Sequence, residues 1–199
     1  MTKLKPSFFA RRPEIVARDL LGCYFVRVFE EGSVVAKIVE TEAYLDEKDL
    51  ASHARFGVTK RNSLMFSHPG IFYVYMIYGI FYLTNVVCDK ENQAGAVLLR
   101  SAEIVEGEKI VIKNLAKSKF VKPSGNLATG PGKLSLAMAI DNDFSSRKIL
   151  NPDCYFLEKD NESSFQIIQC PRVGVSYAKE WKDKPLRFYI KNNKFVSKK

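Results

Sequence analysis

The stretch KIVETEAY, residues 37–44, continues a run of β-branched residues that begins at Val34, and it predicts a strand. Strict alternation along this strand places four side chains on one face: Ile38, Glu40, Glu42 and Tyr44. Carboxylates on a buried strand need charged or hydrogen-bonding partners. The stretch therefore predicts a partnered acidic site if the strand is buried, and two solvated glutamates if the strand lies at an edge.

His53 follows Tyr44 by nine residues, after the polar segment 45–49, and is one of only two histidines. A carboxylate, an imidazole and a tyrosine ring together suit acid–base chemistry on a flat ring. The alternative is a histidine on the surface, because structural ion pairs gather the same residue types.

The composition indicates one domain with a basic surface. The 199 residues are 46% hydrophobic, which is enough for a single core. A formal net charge of +9 favours a polyanionic partner, nucleic acid or an anionic membrane, although solubility alone would also explain it. No apolar run reaches the ~18 residues of a membrane span, and residues 1–6 lack the apolar core of a signal peptide. These features predict a cytoplasmic protein that does not contact membranes.

The four cysteines are far apart in the sequence and form no C-x-x-C pair. This spacing argues against a zinc site or an iron–sulfur cluster, so we expect no metal and no cofactor. Buried, reduced thiols are the simplest interpretation of the set: Cys23, Cys88, Cys154 and Cys170.

Residues 71–87 are the most aromatic part of the chain and predict a β-hairpin. Tyr78-Gly79 would form its turn, where glycine supplies a positive φ. Tyr73 and Tyr75 would then share one face, with Tyr78 at the tip. An exposed tyrosine at a tip suits a wedge between bases, and ordinary cross-strand aromatic packing is the alternative for all three rings.

Local patterns predict the remaining elements: helices that begin near Pro13 and cover 108–117, strands over 20–28, 96–100, 173–175 and 186–190, and an irregular segment over 45–63 with one helical turn. The basic tail, residues 191–199, is expected to be frayed. No internal repeat and no long linker divides the chain, which predicts one domain over residues 1–199.

Two of these elements predict ligand contacts. Arg100 ends a buried strand and needs a carboxylate or phosphate partner. Residues 127–133, LATGPGK, form a glycine-rich loop that opens a helix, and its free amides with Lys133 predict a phosphate contact that includes Gly132. The loop is not a P-loop, which would need glycine at Leu127 and serine or threonine at Leu134.

Several motifs follow one another over nearly the whole chain: IVETEAY (38–44), SHAR (52–55), RN (61–62), MF (65–66), PG (69–70), YVYMIYG (73–79), Asn85, VLLR (97–100), GPGKL (130–134) and PLRFY (185–189). Together they resemble the alkyladenine (3-methyladenine) DNA glycosylases of the mammalian and Bacillus type. The resemblance implies an α+β fold, a single mixed domain around a curved antiparallel β-sheet with an aromatic hairpin and flanking helices.

The resemblance also implies catalytic roles at matching positions. Glu42 matches the carboxylate that deprotonates the attacking water. His53 and Arg100 match residues that hold that water or the flipped base. No catalytic role is carried over to Glu40.

Further matches concern the base and the duplex. Tyr44 and Tyr75, with His53, match the rings that sandwich the flipped base. Tyr78 matches the side chain that enters the duplex where the nucleotide left. Asn85 matches a residue that obstructs the amino group of normal guanine, and an asparagine that merely bonds nearby backbone is its structural alternative.

The expected function is a monofunctional DNA glycosylase of base excision repair, a monomer acting on double-stranded DNA at the nucleoid. It would flip damaged purines of the 3-methyladenine type, with hypoxanthine and ethenoadenine as further candidates, and direct water onto the N-glycosidic bond. Two alternatives stay open on the residues alone. One is a non-catalytic nucleic-acid-binding module that uses the aromatic hairpin, and the other is a sugar hydrolase with Glu40 and Glu42 as its acid pair.

Overall fold

A curled antiparallel sheet of eight strands forms the centre of the described part of the chain. The computed structural model describes residues 1–160 and 164–198. The strands are β1 (Tyr24–Phe29), β2 (Gly32–Tyr44), β3 (Phe72–Ile77), β4 (Phe81–Val87), β5 (Ala96–Glu106), β6 (Cys154–Leu157), β7 (Ile167–Cys170) and β8 (Arg187–Ile190). Their spatial order is β3-β4-β5-β2-β1-β6, and β8 pairs with both β2 and β7. The predicted α+β fold around a curved antiparallel sheet is confirmed.

Helices pack against this sheet. They are α1 (Pro6–Phe9), α2 (Pro13–Asp19), α3 (Glu108–Ala116) and α4 (Pro131–Ala137), with short 3-10 helices at His53–Phe56, Ser63–Phe66, Asn142–Phe144 and Lys179–Lys182. As predicted, Pro13 occupies the first turn of its helix, where its missing N–H costs nothing. The main core lies between helices α2 to α4 and the sheet. No helix within 1–160 and 164–198 is long and apolar enough to cross a membrane.

Strand β2 is the central strand of the sheet. One of its edges pairs with β5, and the other pairs first with β1 and then with β8. The edge-strand alternative for Glu40 and Glu42 is therefore wrong, and both side chains are fully buried. Because β2 has partners along both edges, it lies inside the sheet and not at its edge.

The register between β2 and β5 shifts twice in this region, between Ile38 and Glu40 and between Glu40 and Thr41. The second shift leaves Arg100 as an extra residue between the partners of Glu40 and Thr41. Such β-bulges bend a strand and redirect side chains near functional sites. The bulge at Val39 also interrupts the predicted alternation, so Ile38 belongs to the main core while Glu40 and Glu42 both face Arg100.

Other boundaries differ from the predictions. The strand expected over 20–28 begins only at Tyr24, because residues 20–22 turn after α2, and the strand expected over 96–100 continues to Glu106. Residues 173–175 form a loop, since the strand before β8 is β7 instead. The irregular segment 45–63, the hairpin and the closing strand over 186–190 agree with the sequence.

The C-terminal tail is packed, where the sequence suggested a frayed end. Val196 is buried, and the backbone N–H of Ser197 donates to the Glu40 carboxylate at 2.7 Å. The carbonyl of Lys198 accepts from Arg187 at 2.6 Å. The high lysine content of this tail hides these backbone contacts from a reading based on composition.

Candidate active site

A cavity of about 350 Å³ opens between the β3–β4 hairpin, the end of β2 and the loop that follows β7. Its volume and its mixture of aromatic and polar lining are typical of a small-molecule pocket. Six of the residues predicted from the sequence line it: Tyr44, His53, Tyr75, Tyr78, Asn85 and Arg100. Residues up to 56 positions apart in the sequence thus meet at one cavity.

Glu42 lies directly behind this lining. Its Oε2 accepts a hydrogen bond from the Tyr44 hydroxyl at 2.8 Å, and its Oε1 accepts one from the Val173 amide at 2.7 Å. The Arg100 Nη1 is 3.2 Å from the same Oε1. Each carboxylate oxygen has two lone pairs, so Oε2, which has a single donor, can still accept from a water molecule.

We use the term ionic cluster for four side chains in this region: Glu40, Glu42, Arg100 and Arg187. The Glu40 carboxylate accepts from both arginines and from the tail amide. Burial raises the pKa of Glu40, but Arg100, Ser197 and Arg187 outweigh it and leave that pKa below its ordinary value. A carboxyl group held ionised in this way is a poor proton donor, which argues against a Glu40–Glu42 acid pair.

Tyr44 connects the ionic cluster to the cavity. Burial and the nearby Glu42 carboxylate raise the pKa of Tyr44 well above its ordinary value, so the hydroxyl stays protonated and donates to Glu42. The Arg172 guanidinium lies 4.7 Å from the centre of the Tyr44 ring and forms a bidentate pair with Asp49 at 2.6 and 2.7 Å. Arg172 and Asp49 were not predicted from the sequence, because they are 123 residues apart and their pairing has no local signal.

His53 is held by two tyrosines. Its Nδ1 is 2.8 Å from the Tyr73 hydroxyl, and its ring centre is 4.6 Å from that of Tyr75 at an interplanar angle of 63°. Burial and the positive charges of Arg61 and Arg55 lower the pKa of His53 from its ordinary value of 6.5 to about 4. The imidazole is therefore neutral near pH 7. Tyr73 was not predicted as a site residue. Its predicted position on the same strand face as Tyr75 could have identified it.

The hairpin brings Tyr78 and Asn85 to the same cavity. Tyr78 is 87% exposed at the tip and has a φ of 54°, next to Gly79 at 66°. A positive φ is unfavourable for tyrosine, so the tight turn holds this ring outward at some conformational cost. Asn85 is buried, and its Nδ2 donates to the backbone carbonyls of Tyr73 and Leu83. These bonds fit the structural alternative for Asn85 and also fix its amide at the cavity wall.

The sequence model of the family described as methylpurine-DNA glycosylase matches residues 7–194. This chain belongs to the methylpurine-DNA glycosylase family. A Legionella pneumophila (strain Corby) protein named "Putative 3-methyladenine DNA glycosylase" is 43% identical over 198 residues, which cover the whole of both chains. Proteins with the same name are 43% identical over 195 residues in Methanocella arvoryzae, covering 98% of this chain and 96% of the relative, and 37% identical over 206 residues in Clostridium tetani, covering 99% and 100%. The resemblance seen in the motifs is confirmed.

In this methylpurine-DNA glycosylase chain, the loop before α4 lies beside the hairpin. Pro131 lines the cavity, and a Cβ at Gly132 would come within 2.9 Å of the Phe81 ring, so glycine is needed there for close packing. The Lys133 Nζ donates to the Ser124 carbonyl at 3.1 Å. A phosphate contact at Gly132 and Lys133 stays a prediction.

Proposed function

We propose that this protein is a monofunctional DNA glycosylase that flips N-alkylated purines out of double-stranded DNA and hydrolyses their N-glycosidic bond. The observation that supports this most is the environment of Glu42. It is a fully buried carboxylate whose three hydrogen-bonding or ionic partners, Tyr44, Val173 and Arg100, all line one aromatic cavity. A buried carboxylate cannot reach a base that is stacked inside a DNA duplex. The base must therefore leave the stack and enter the cavity.

The cavity suits a flat, electron-poor ring. Five tyrosine side chains and a neutral imidazole line it, and N-alkylation places positive charge on a purine. Cations are attracted to the faces of electron-rich rings, which favours alkylpurines of the 3-methyladenine type. Hypoxanthine and ethenoadenine are flat neutral purines that we include as further substrates.

The proposed reaction uses Glu42 as a general base. The carboxylate takes a proton from a water molecule, the water oxygen bonds to the anomeric carbon, and the bond to the purine nitrogen breaks with its electron pair on the base. A cationic alkylpurine leaves as a neutral molecule, so this lesion class requires no acid. Arg100 holds the carboxylate in place, and His53 and Tyr75 hold the base.

DNA would be engaged through exposed rings, which we call the aromatic rim and define as Phe56, Tyr78 and Tyr177. All three are more than half exposed, and Tyr78 and Tyr177 line the cavity. The Arg55 guanidinium lies between Phe56 and Tyr177, 4.3 and 4.9 Å from their ring centres. Stacking of each base contributes about 1–3 kcal/mol, so these rings can offset the cost of flipping. Contacts of Gly132 and Lys133 with phosphate, and action as a monomer, complete the proposal.

Product analysis tests the proposal. Duplexes that each carry 3-methyladenine, 7-methylguanine, hypoxanthine, ethenoadenine or no lesion are incubated with the protein, and free bases and strand lengths are measured. We expect free alkylpurine and an intact strand that carries an abasic site. Tight binding without release would instead support the binding module, and hydrolysis of an oligosaccharide would support the sugar hydrolase.

A further inference from the structure

Glu40 is a buried charge that the proposed reaction does not use. It lies two residues before Glu42, and both of its carboxylate oxygens are occupied. Oε1 accepts from Arg100 Nε at 3.0 Å and from Arg187 Nη1 at 2.8 Å, and Oε2 accepts from the Ser197 backbone N–H at 2.7 Å. Burying a carboxylate costs free energy unless donors compensate for it. The three donors therefore indicate that this carboxylate must be held in one position.

The Arg100 guanidinium has a different partner for each nitrogen. Nε donates to Glu40, Nη2 donates to Ser197 Oγ at 3.2 Å, and Nη1 lies 3.2 Å from Glu42 Oε1. The guanidinium is planar and rigid, so three partners fix both its position and its plane. Arginine frequently pairs with a carboxylate through two parallel bonds. Because Glu40 occupies Nε, Arg100 meets Glu42 through one nitrogen only, and Glu42 Oε2 remains free for Tyr44 and water.

The C-terminal segment Val196–Lys198 closes the arrangement. Ser197 contributes its amide to Glu40 and its hydroxyl to Arg100, and the Lys198 carbonyl accepts from Arg187 Nη1. Val196 is buried in the main core and anchors the segment. Two carboxylates and two guanidiniums are thereby gathered in the ionic cluster, and the segment Val196–Lys198 contacts three of these four groups.

We propose that Glu40 and the segment Val196–Lys198 are positioning groups that hold Arg100 to a single contact with Glu42 and so set the rate of base release. This inference rests on the proposed function of Glu42. Glu40 acts through Arg100, and it contributes to the bond-breaking step without contributing to DNA binding.

The test uses Glu40→Gln, which keeps the shape and removes the charge, with Glu31→Gln as the matched control on a surface ion pair with Lys113. Single-turnover release of 3-methyladenine and affinity for a duplex with a non-hydrolysable lesion analogue are measured. We expect Glu40→Gln to slow release about 10- to 100-fold, as misplaced catalytic groups do, and to leave affinity unchanged. A release rate equal to that of Glu31→Gln, or a matching loss of affinity, would overturn the proposal.

Two further measurements separate positioning from general damage. In an Arg100→Gln background, Glu40→Gln should add no further loss, and an undiminished effect would show that it does not act through Arg100.

Ser197→Ala removes only the hydroxyl contact and should slow release about 2- to 10-fold. If Glu40→Gln fails to fold, Ser197→Ala serves as the test, and release by Ser197→Ala at the wild-type rate rejects the proposal. If the wild type itself releases no base, the proposed function fails and this inference with it, whereas an active wild type with unaffected variants rejects this inference alone.

Discussion

The ionic cluster and the aromatic rim differ in burial and in how their polar groups are partnered. In the ionic cluster every carboxylate oxygen has a donor within 3.2 Å, and both carboxylates are fully buried. In the aromatic rim the rings are mostly exposed to solvent, and Tyr78 is held outward at a positive φ. The cluster is organised before any substrate arrives, whereas the rim completes its contacts only with a partner. This contrast suggests that chemistry resides in the cluster and DNA engagement in the rim.

The largest expected effect comes from the cluster. Glu42→Gln keeps the shape of the side chain and removes the general base, so single-turnover excision should fall about 10²- to 10⁴-fold while binding to lesion DNA is retained. Excision rates and affinities for the same duplex check this prediction. Glu40→Gln serves as the comparison and should slow excision less than Glu42→Gln does. Excision by Glu42→Gln within a few-fold of wild type would remove Glu42 from the mechanism.

Breaking the rim should have a smaller effect, and only on duplex DNA. Tyr78→Ala removes the wedge, and the loss of about 1–3 kcal/mol of stacking corresponds to a loss of about 5- to 150-fold in excision from a duplex. Excision from a single strand, where no stack must be opened, should hardly change. If both substrates lose activity equally, Tyr78 belongs to the base pocket rather than to the wedge.

The cavity wall between the two regions should control selectivity. Adenine-type lesions lack the amino group that guanine carries at purine C2, and Asn85 is fixed at the wall by its bonds to two carbonyls. Asn85→Ser should therefore raise the release of unmodified guanine from mispairs and leave hypoxanthine release largely unchanged. An unchanged guanine rate in a folded variant would assign selectivity to the charge and lability of the lesion alone.

The basic surface should make binding sensitive to salt. Each neutralised phosphate contributes about −0.9 to the slope of log K against log salt, and Lys133→Gln should reduce the magnitude of that slope by about one contact. Titrations at several salt concentrations measure the slope. Lys109→Gln, at an exposed position on α3, is the matched control substitution. A flat response in the wild type would mean that the net charge of +9 serves solubility only.

The smallest expected effect is on stability and comes from His53. Its pKa in the folded protein, about 4, lies below the ordinary value of 6.5 because the ring is buried and near arginines. Between these values the unfolded chain binds a proton that the folded chain does not, so the free energy of unfolding decreases as the pH falls through this window. His53→Gln should lose less stability between pH 7 and pH 5 in urea unfolding. An equal loss of stability in His53→Gln and in the wild type would contradict the lowered pKa of His53.

The sequence predicted the parts of the site that depend on local pattern. Alternation placed Glu42 beside Tyr44, and Tyr78-Gly79 marked the hairpin tip, because both features arise within a few residues. It could not predict contacts fixed by strand register, such as the bulge that leaves Arg100 between two carboxylates. The Val173 amide was missed because its partner Glu42 lies 131 residues earlier, and a contact over that distance has no local signal.

The proposed separation of chemistry from engagement is tested most directly by base flipping itself. A duplex with 2-aminopurine beside the lesion reports, by its fluorescence, whether the base has left the stack. Glu42→Gln should give the full wild-type increase in fluorescence without releasing the base, and Tyr78→Ala should give little increase. Loss of the fluorescence increase in Glu42→Gln, or a full increase in Tyr78→Ala, would contradict the account.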